Sequence, residues 1–159
     1  MKPLMLATDG SPTAEKATET AIDLARSLDT ELVIVSVWDI PYTTVGLAPM
    51  PVTGEFALGG HDEAQRVVAE AAARAEEAGV EVRTIVLRGL PVDEICVAAE
   101  KFHAQFLVLG SHGWGALRRA IFGSVSTGVL HHARCPVLVV PAERLDGKLP
   151  EPTRQEVPA

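Results

Sequence analysis

Five short apolar runs alternate with stretches that have the periodicity of amphipathic helices, and this alternation constrains the fold more than any other feature. The runs are continuous rather than alternately polar and apolar, which is typical of strands covered by helices on both faces. We therefore predict an α/β, doubly wound domain with a five-stranded parallel sheet. The runs lie at Leu4–Thr8, Glu31–Trp38, Val80–Arg88, Ala104–Gly110 and Pro136–Pro141.

Helical patterns fill the intervals between these runs. Ser11, which is followed by proline, predicts the start of the first helix, because serine caps helices and proline is favoured in the first turn. The second helix follows a loop at residues 39–60 and is predicted to end at Gly79. The third begins at Pro91, and the fourth spans Ser124–Arg134. Because the loop is long and rich in proline and glycine, it is interpreted as a lid, a partner surface or slack.

Composition narrows the class of protein. We assign residues 1–142 to one domain and residues 143–159 to a flexible tail, because the tail is polar and proline-bearing. The formal net charge of −7 argues against binding to nucleic acid or to an anionic membrane surface. No run reaches the roughly 18 apolar residues of a membrane span, and the first residues are too few for a signal peptide. We therefore expect a soluble, cytoplasmic protein.

The cysteines and the adjacent histidines are weak candidates for chemistry. Cys96 and Cys135 form no C-x-x-C motif, and we expect buried, reduced thiols, since small disulfide-stapled folds carry many more cysteines. His131 and His132 would point in different directions on a helix, and no further ligand stands at metal-binding spacing. We therefore predict no metal site at these histidines.

The loop after the fourth apolar run carries a specific spacing of glycines. Gly110 is followed by Gly113, and nine residues later Gly123 and Ser124 open the fourth helix. Glycines allow a ligand to approach the backbone closely, and a helix N-terminus supplies unpaired N–H groups and partial positive charge. Taken singly, these residues could serve only as turns, a strand end and a cap. Their combination favours a phosphate-binding loop.

Other residues near this loop have two interpretations. Asp9, after the first run, is either a turn residue or a contact for a nucleoside or a metal ion, since ligands bind beyond the carboxyl ends of parallel strands. Ser126 is either an ordinary polar helix residue or a contact for a terminal phosphate through its hydroxyl or amide. His112, Arg118 and Arg119 could offset phosphate charge, although solvated surface explains at least one arginine better.

The stretch "LGSHGWGALRRAIFGSVSTGVLHHARCPVLVVP" resembles the carboxyl-terminal signature of the universal stress protein family. "LMLATDGSP", "VIVSVW" and "RGLPVDEI" are similar to the family's first strand and turn, its second strand and the entry to its third helix. The resemblance covers Lys2 to Pro141, except for the proline-rich loop.

This resemblance implies a site and a ligand. In members that bind ATP, the glycine spacing wraps the phosphates and ribose, the acidic residue after the first strand contacts the nucleoside, and backbone at the end of the second strand pairs with adenine. The resemblance therefore implies ATP, alone or with Mg²⁺, as the ligand. The corresponding site residues of this sequence are Asp9, Val37, Gly110, Gly113, Gly123, Ser124, Val125 and Ser126.

We therefore expect an adenine nucleotide-binding protein of stress response or signalling, without fast catalysis. The sequence lacks the G-K-[ST] and G-x-G-x-x-G motifs of phosphoryl-transfer enzymes. It also lacks the histidine and lysine motifs of related nucleotide-activating enzymes. The alternative is a structural or adaptor homodimer that binds no nucleotide, because the apolar last strand at Pro136–Pro141 could pair across a two-fold axis, as the family often does.

Overall fold

The structure is a computed structural model that describes residues 2–39, 42–45, 48–51, 55–113 and 122–141. The tail at residues 143–159 lies outside this range. The helices are α1 (Pro12–Ser27), α2 (Glu55–Glu77), α3 (Pro91–Lys101) and α4 (Ser124–His132). The strands are β1 (Leu4–Ala7), β2 (Leu32–Trp38), β3 (Tyr42–Val45), β4 (Ala48–Pro51), β5 (Val82–Arg88), β6 (Phe106–Gly110) and β7 (Val137–Val140).

Five of these strands form the predicted parallel sheet, in the order β5-β2-β1-β6-β7. From β1 the chain first winds outward through β2 to β5, then crosses back to β6 and winds outward through β7. The direction of winding therefore reverses between the neighbouring strands β1 and β6. A reversal of this kind leaves a crevice beyond the carboxyl ends of the two strands, where α/β sheets bind ligands.

Two apolar clusters hold the helices against the two faces of the sheet. Leu4 and Leu6 of β1 face α1 and α2, whereas Met5 and Ala7 face α3 and α4. All four of these side chains are buried, as expected for a central strand that is covered on both faces. The predicted α/β architecture is therefore confirmed.

The segment at residues 39–60 departs from the prediction of a loop. Two short strands, Tyr42–Val45 and Ala48–Pro51, pair in antiparallel orientation. The helix α2 begins at Glu55, whereas the sequence predicts its start only after the loop ends at residue 60. Glycine and proline are weak formers of strands and helices, so they masked both elements in the sequence. Later turns of α2 pack their apolar face in the core. The helix can then extend back towards Glu55, because extending a formed helix costs much less free energy than starting one.

The last strand lies at an edge of the sheet. β7 pairs with β6 on one side, through a register that runs from Leu107–Val137 to Gly110–Val140. An edge position suits this strand, because a run flanked by prolines fits an edge better than the middle of a sheet. No helix in the described part of the chain is long and apolar enough to cross a membrane.

Candidate functional site

A cavity of about 520 Å³ opens at the carboxyl ends of β1 and β6, where the winding of the sheet reverses. Loops from both strands form its rim, α4 begins at its edge, and α3 forms part of a wall. All eight residues predicted from the sequence line this one cavity: Asp9, Val37, Gly110, Gly113, Gly123, Ser124, Val125 and Ser126. The fold thus brings them together, and their contact with a ligand stays a prediction.

Asp9 combines a turn with a position in the cavity lining. Its Oδ1 atom accepts a hydrogen bond from the backbone N–H of Ser11 at 3.0 Å, which fixes the carboxylate at the start of α1. The side chain of Ser11 in turn accepts from Ala14 N at 3.3 Å, so the predicted N-cap is confirmed. The two interpretations of Asp9 are therefore compatible, because the turn leaves the carboxylate beside the cavity.

Gly113 lies directly against this carboxylate. A Cβ atom built on Gly113 would be 2.5 Å from Asp9 Oδ2, which is too close for two non-bonded atoms. Gly110 also lacks space for a side chain, since its Cβ would be 3.0 Å from the backbone of Thr13 in α1. A side chain at either glycine would therefore force neighbouring protein atoms to shift, whether or not a ligand approaches closely.

Gly123 differs from these two glycines. A Cβ there would be 3.4 Å from the carbonyl oxygen of Ser111, an ordinary contact, and its φ of −75° suits any residue. Gly123 is the N-cap of α4, and its N–H donates to Ser111 O at 2.7 Å. This hydrogen bond closes the base of the loop that connects β6 to α4.

Ser126 strengthens the same closure. Its hydroxyl is buried and donates to the carbonyl oxygens of Ser111 at 2.8 Å and Gly123 at 3.0 Å. The hydroxyl proton is therefore committed to the protein, which favours the amide over the hydroxyl as the phosphate contact. No local pattern in the sequence predicts the hydrogen bond to Ser111, because Ser111 is adjacent to α4 only in the folded protein.

The first turn of α4 presents backbone donors at the cavity. The N–H groups of Ser124, Val125 and Ser126 have no acceptor within the helix, as is general for a first helical turn. Elsewhere in the described residues, no backbone carbonyl accepts a hydrogen bond from them. Together with the partial positive charge of the helix N-terminus, they suit an anion.

The charged groups of the lining are few. Among its described residues, only Asp9 and His112 are titratable. Ser111 Oγ lies 3.0 Å from His112 Nδ1, so the hydroxyl orients the imidazole ring. Arg118 and Arg119, which were candidates for offsetting phosphate charge, lie outside the described residues.

The apolar wall of the cavity was not predicted as part of the site. It comes from the ends of the central strands, from α1, from α3 and from the residue before Gly123. It consists mainly of Ala7, Ala14, Val35, Pro91, Ile95, Leu109 and Phe122. In the sequence these residues look like ordinary core. The signal available was their position, since Ala7, Val35 and Leu109 all lie near the carboxyl ends of predicted strands.

The histidines that were excluded as metal ligands lie at the end of α4. His132 Nδ1 is 2.8 Å from the carbonyl oxygen of Gly128, one turn earlier in the helix. In the ranges that the structure covers, no group of three or more His, Cys, Asp or Glu side chains could hold a metal ion.

Solved structures resemble the whole fold. Hypothetical protein MJ0577 superposes with a TM-score of 0.74 at 25% identity, covering 90% of this chain and 97% of that protein. A universal stress protein in complex with cAMP gives 0.66 at 23% identity, covering 87% and 96%. The universal stress protein from Archaeoglobus fulgidus in complex with dAMP gives 0.65 at 24% identity, covering 88% and 98%. At 23% and 24% identity, the similarity to these last two proteins shows a shared fold.

Sequence comparisons identify the family. Residues 1–141 match the model of the universal stress protein family. The universal stress protein MJ0531 of Methanocaldococcus jannaschii is 37% identical over 143 residues, covering 87% of this chain and 81% of that protein. The universal stress protein YxiE of Bacillus subtilis is 32% identical over 143 residues, covering 86% and 97%. The chain therefore belongs to the universal stress protein family.

Proposed function

We propose that this protein binds ATP or a related adenine nucleotide in the cavity between β1 and β6, and acts in stress response or signalling. The observation that carries the proposal is the combination of an amide-lined helix N-terminus with an apolar wall in one cavity. The first suits phosphates and the second suits a nucleobase. The complexes of two structural neighbours with cAMP and dAMP support an adenine nucleotide as the ligand.

The residues around the cavity suggest where each part of a nucleotide would bind. The amides of Ser124–Ser126 would receive the phosphates, and the backbone at Val37 would meet the edge of the base. Asp9 would contact the nucleoside. Its carboxylate is the one acidic group in the described lining, so it could supply a single protein ligand to a phosphate-bound Mg²⁺, which typically keeps several waters.

The proposed role is binding rather than fast catalysis. Phosphoryl-transfer enzymes place a lysine at the phosphates and use carboxylates to hold metal ions. The described lining contains no lysine and only one carboxylate, that of Asp9. Slow hydrolysis of ATP remains compatible with this site.

The cytoplasmic location of the protein also stays a prediction.

The proposal is tested by nucleotide content and calorimetry. Protein purified without added ligand is analysed for bound nucleotide and then titrated with ATP, AMP and cAMP. We expect co-purified nucleotide or saturable binding of at least one of the three. If no nucleotide co-purifies and no binding occurs at millimolar ligand, the proposal is wrong.

Ser124→Pro tests the role of the helix amides directly. Ser124 is the first helical residue after the N-cap Gly123, whose extended ψ of 169° suits a residue before proline. Proline is favoured at this position, so the substitution removes the N–H and leaves the helix intact. A hydrogen bond to a charged group contributes about 1.5–3 kcal/mol, so the affinity for ATP should fall at least about tenfold.

Two controls complete this test. Ser124→Ala removes the hydroxyl and keeps the amide, so it should bind ATP within a few-fold of the wild type. Adenosine, which has no phosphate, should bind equally to wild type and Ser124→Pro. Equal affinity of Ser124→Pro and wild type for ATP would show that the phosphates bind elsewhere.

A homodimer through β7 is the second candidate. β7 is an edge strand, and its residue Leu138 is 37% exposed. Pairing of two β7 edges would bury this apolar surface. Light scattering should then give the mass of a dimer for the wild type and a monomer for Leu138→Lys. A monomeric wild type at high concentration would contradict the dimer and leave nucleotide binding unaffected.

A further inference from the structure

The two cysteines of the chain lie on the same side of the sheet, outside the lining of the candidate cavity. Cys96 belongs to α3, and Cys135 lies between α4 and β7. Both are free, half-buried thiols, and both pack against the apolar cluster beneath α3 and α4. Because the chain has no third cysteine, each thiol has the other as its one candidate for an intramolecular disulfide.

Contacts of α3 bring the two thiols towards each other. Val92, Cys96 and Glu100 are four residues apart, so they share one face of the helix. At one end of this face, Val92 packs so closely on Gly128 of α4 that a Cβ there would be 2.6 Å from Val92 Cγ2. At the other end, Glu100 Oε1 accepts a hydrogen bond from Arg134 Nη1 at 2.9 Å. Arg134 directly precedes the second cysteine, so the segment that carries Cys135 lies on the same side of α3 as Cys96.

The titration of the two thiols is consistent with this arrangement. Burial raises the pKa of both thiols, and negative charge on Cys135 and on Asp93 raises the pKa of Cys96 further. A charge on one thiol can act on the other only across a short distance. The raised pKa also keeps both groups protonated at neutral pH, so the pair is slow to react and is reduced at rest.

We propose that Cys96 and Cys135 form an intramolecular disulfide when the protein meets a hydroperoxide. The thiolate of one cysteine attacks the peroxide oxygen, which gives a sulfenic acid and releases an alcohol or water. The second thiolate attacks the sulfenic sulfur and displaces hydroxide, which leaves as water after taking up a proton. In total, two thiols lose two electrons and two protons, and the hydroperoxide gains them.

The disulfide joins two elements that wall the candidate cavity. α3 contributes Pro91 and Ile95 to the lining, and the segment with Cys135 continues directly from α4, whose first turn also lines it. The cross-link therefore restrains α3 relative to the α4–β7 segment. Its formation does not depend on nucleotide binding.

Mass spectrometry of peroxide-treated protein tests the proposal. Reduced protein is treated with hydrogen peroxide, denatured, alkylated and digested. We expect the chain to lose two hydrogen atoms, to carry no alkylated cysteine, and to yield one peptide pair joining Cys96 and Cys135. The reaction should be several-fold faster at alkaline than at neutral pH, because the thiolate fraction rises with pH.

Single-cysteine variants serve as controls. Cys96→Ala and Cys135→Ala each keep one thiol, and neither should lose two hydrogen atoms. Two alkylated thiols per chain after prolonged treatment would overturn the proposal, as would a disulfide found only between chains, or oxygen adducts without the joined peptides. These outcomes are read on the wild type, so they hold even where a variant fails to fold, and they are independent of the proposed function.

Discussion

Gly113→Ala is expected to lower nucleotide affinity about tenfold, through its effect on Asp9. The new Cβ would lie 2.5 Å from Asp9 Oδ2, so the carboxylate has to rotate away. Rotation moves the carboxylate away from the position in which it would accept a hydrogen bond from the nucleoside, and a hydrogen bond to a charged group contributes about 1.5–3 kcal/mol. A free-energy change of about 1.4 kcal/mol corresponds to a factor of ten in the dissociation constant. Calorimetric titration with ATP or AMP measures the loss.

Gly123→Ala is the matched control from the same glycine motif. Its Cβ makes an ordinary 3.4 Å contact and touches no group of Asp9. We expect binding within a few-fold of the wild type and a loss of stability of about 1 kcal/mol or less, because alanine is a poorer N-cap than glycine. If both variants lose affinity equally, the glycines act through the ligand rather than through Asp9.

A double-mutant cycle separates these explanations further. In an Asp9→Ala background the carboxylate is absent, so Gly113→Ala should cause no additional loss of affinity. An additive loss in the double variant would contradict a role for Gly113 in positioning Asp9. Circular dichroism spectra of all four proteins are needed to show that each one is folded.

Gly10→Ala is expected to cause the largest loss of stability among the glycine variants, about 2–5 kcal/mol. Gly10 has a φ of +71°, where a side chain costs about 1–2 kcal/mol. In addition, a Cβ would lie 2.8 Å from Val67 Cγ2, a buried side chain of α2, and overpacking costs about 1–3 kcal/mol. Denaturation with urea measures the total as a change in the free energy of unfolding.

Gly79→Ala isolates the backbone contribution. Gly79 has a similar φ of +77°, but no atom lies within 4 Å of its Cβ position. Its loss should therefore be about 1–2 kcal/mol, and the difference from Gly10→Ala measures the contact with α2. Val67→Ala removes the methyl groups that the new Cβ would contact, so it should reduce the loss of stability caused by Gly10→Ala. If Gly10→Ala and Gly79→Ala lose the same free energy of unfolding, α2 shifts away from the new Cβ at no energetic cost.

Local signals predicted much of the fold and of the site. The continuous apolar run at Leu4–Thr8 predicted a central strand, and Ser11 predicted the start of α1, because burial on two faces and capping act on adjacent residues. The spacing of Gly110, Gly113 and Gly123 predicted residues that do line one cavity. The pairing of β3 with β4 and the early start of α2 were missed, since glycine and proline weaken the local signal for strands and helices.

From the amino-acid sequence alone we could predict the alternation of strands and helices, the parallel sheet and the two loops that meet at its carboxyl edge. Each of these follows from periodicity, capping or chain connectivity, which are read along the chain. Three features became visible only in the folded protein: Gly113 lies against Asp9, Ser126 donates to Ser111, and Ile95 of α3 lines the cavity. These contacts depend on how the crossovers pack the helices onto the sheet, and packing of residues distant in sequence leaves no periodic trace in either segment.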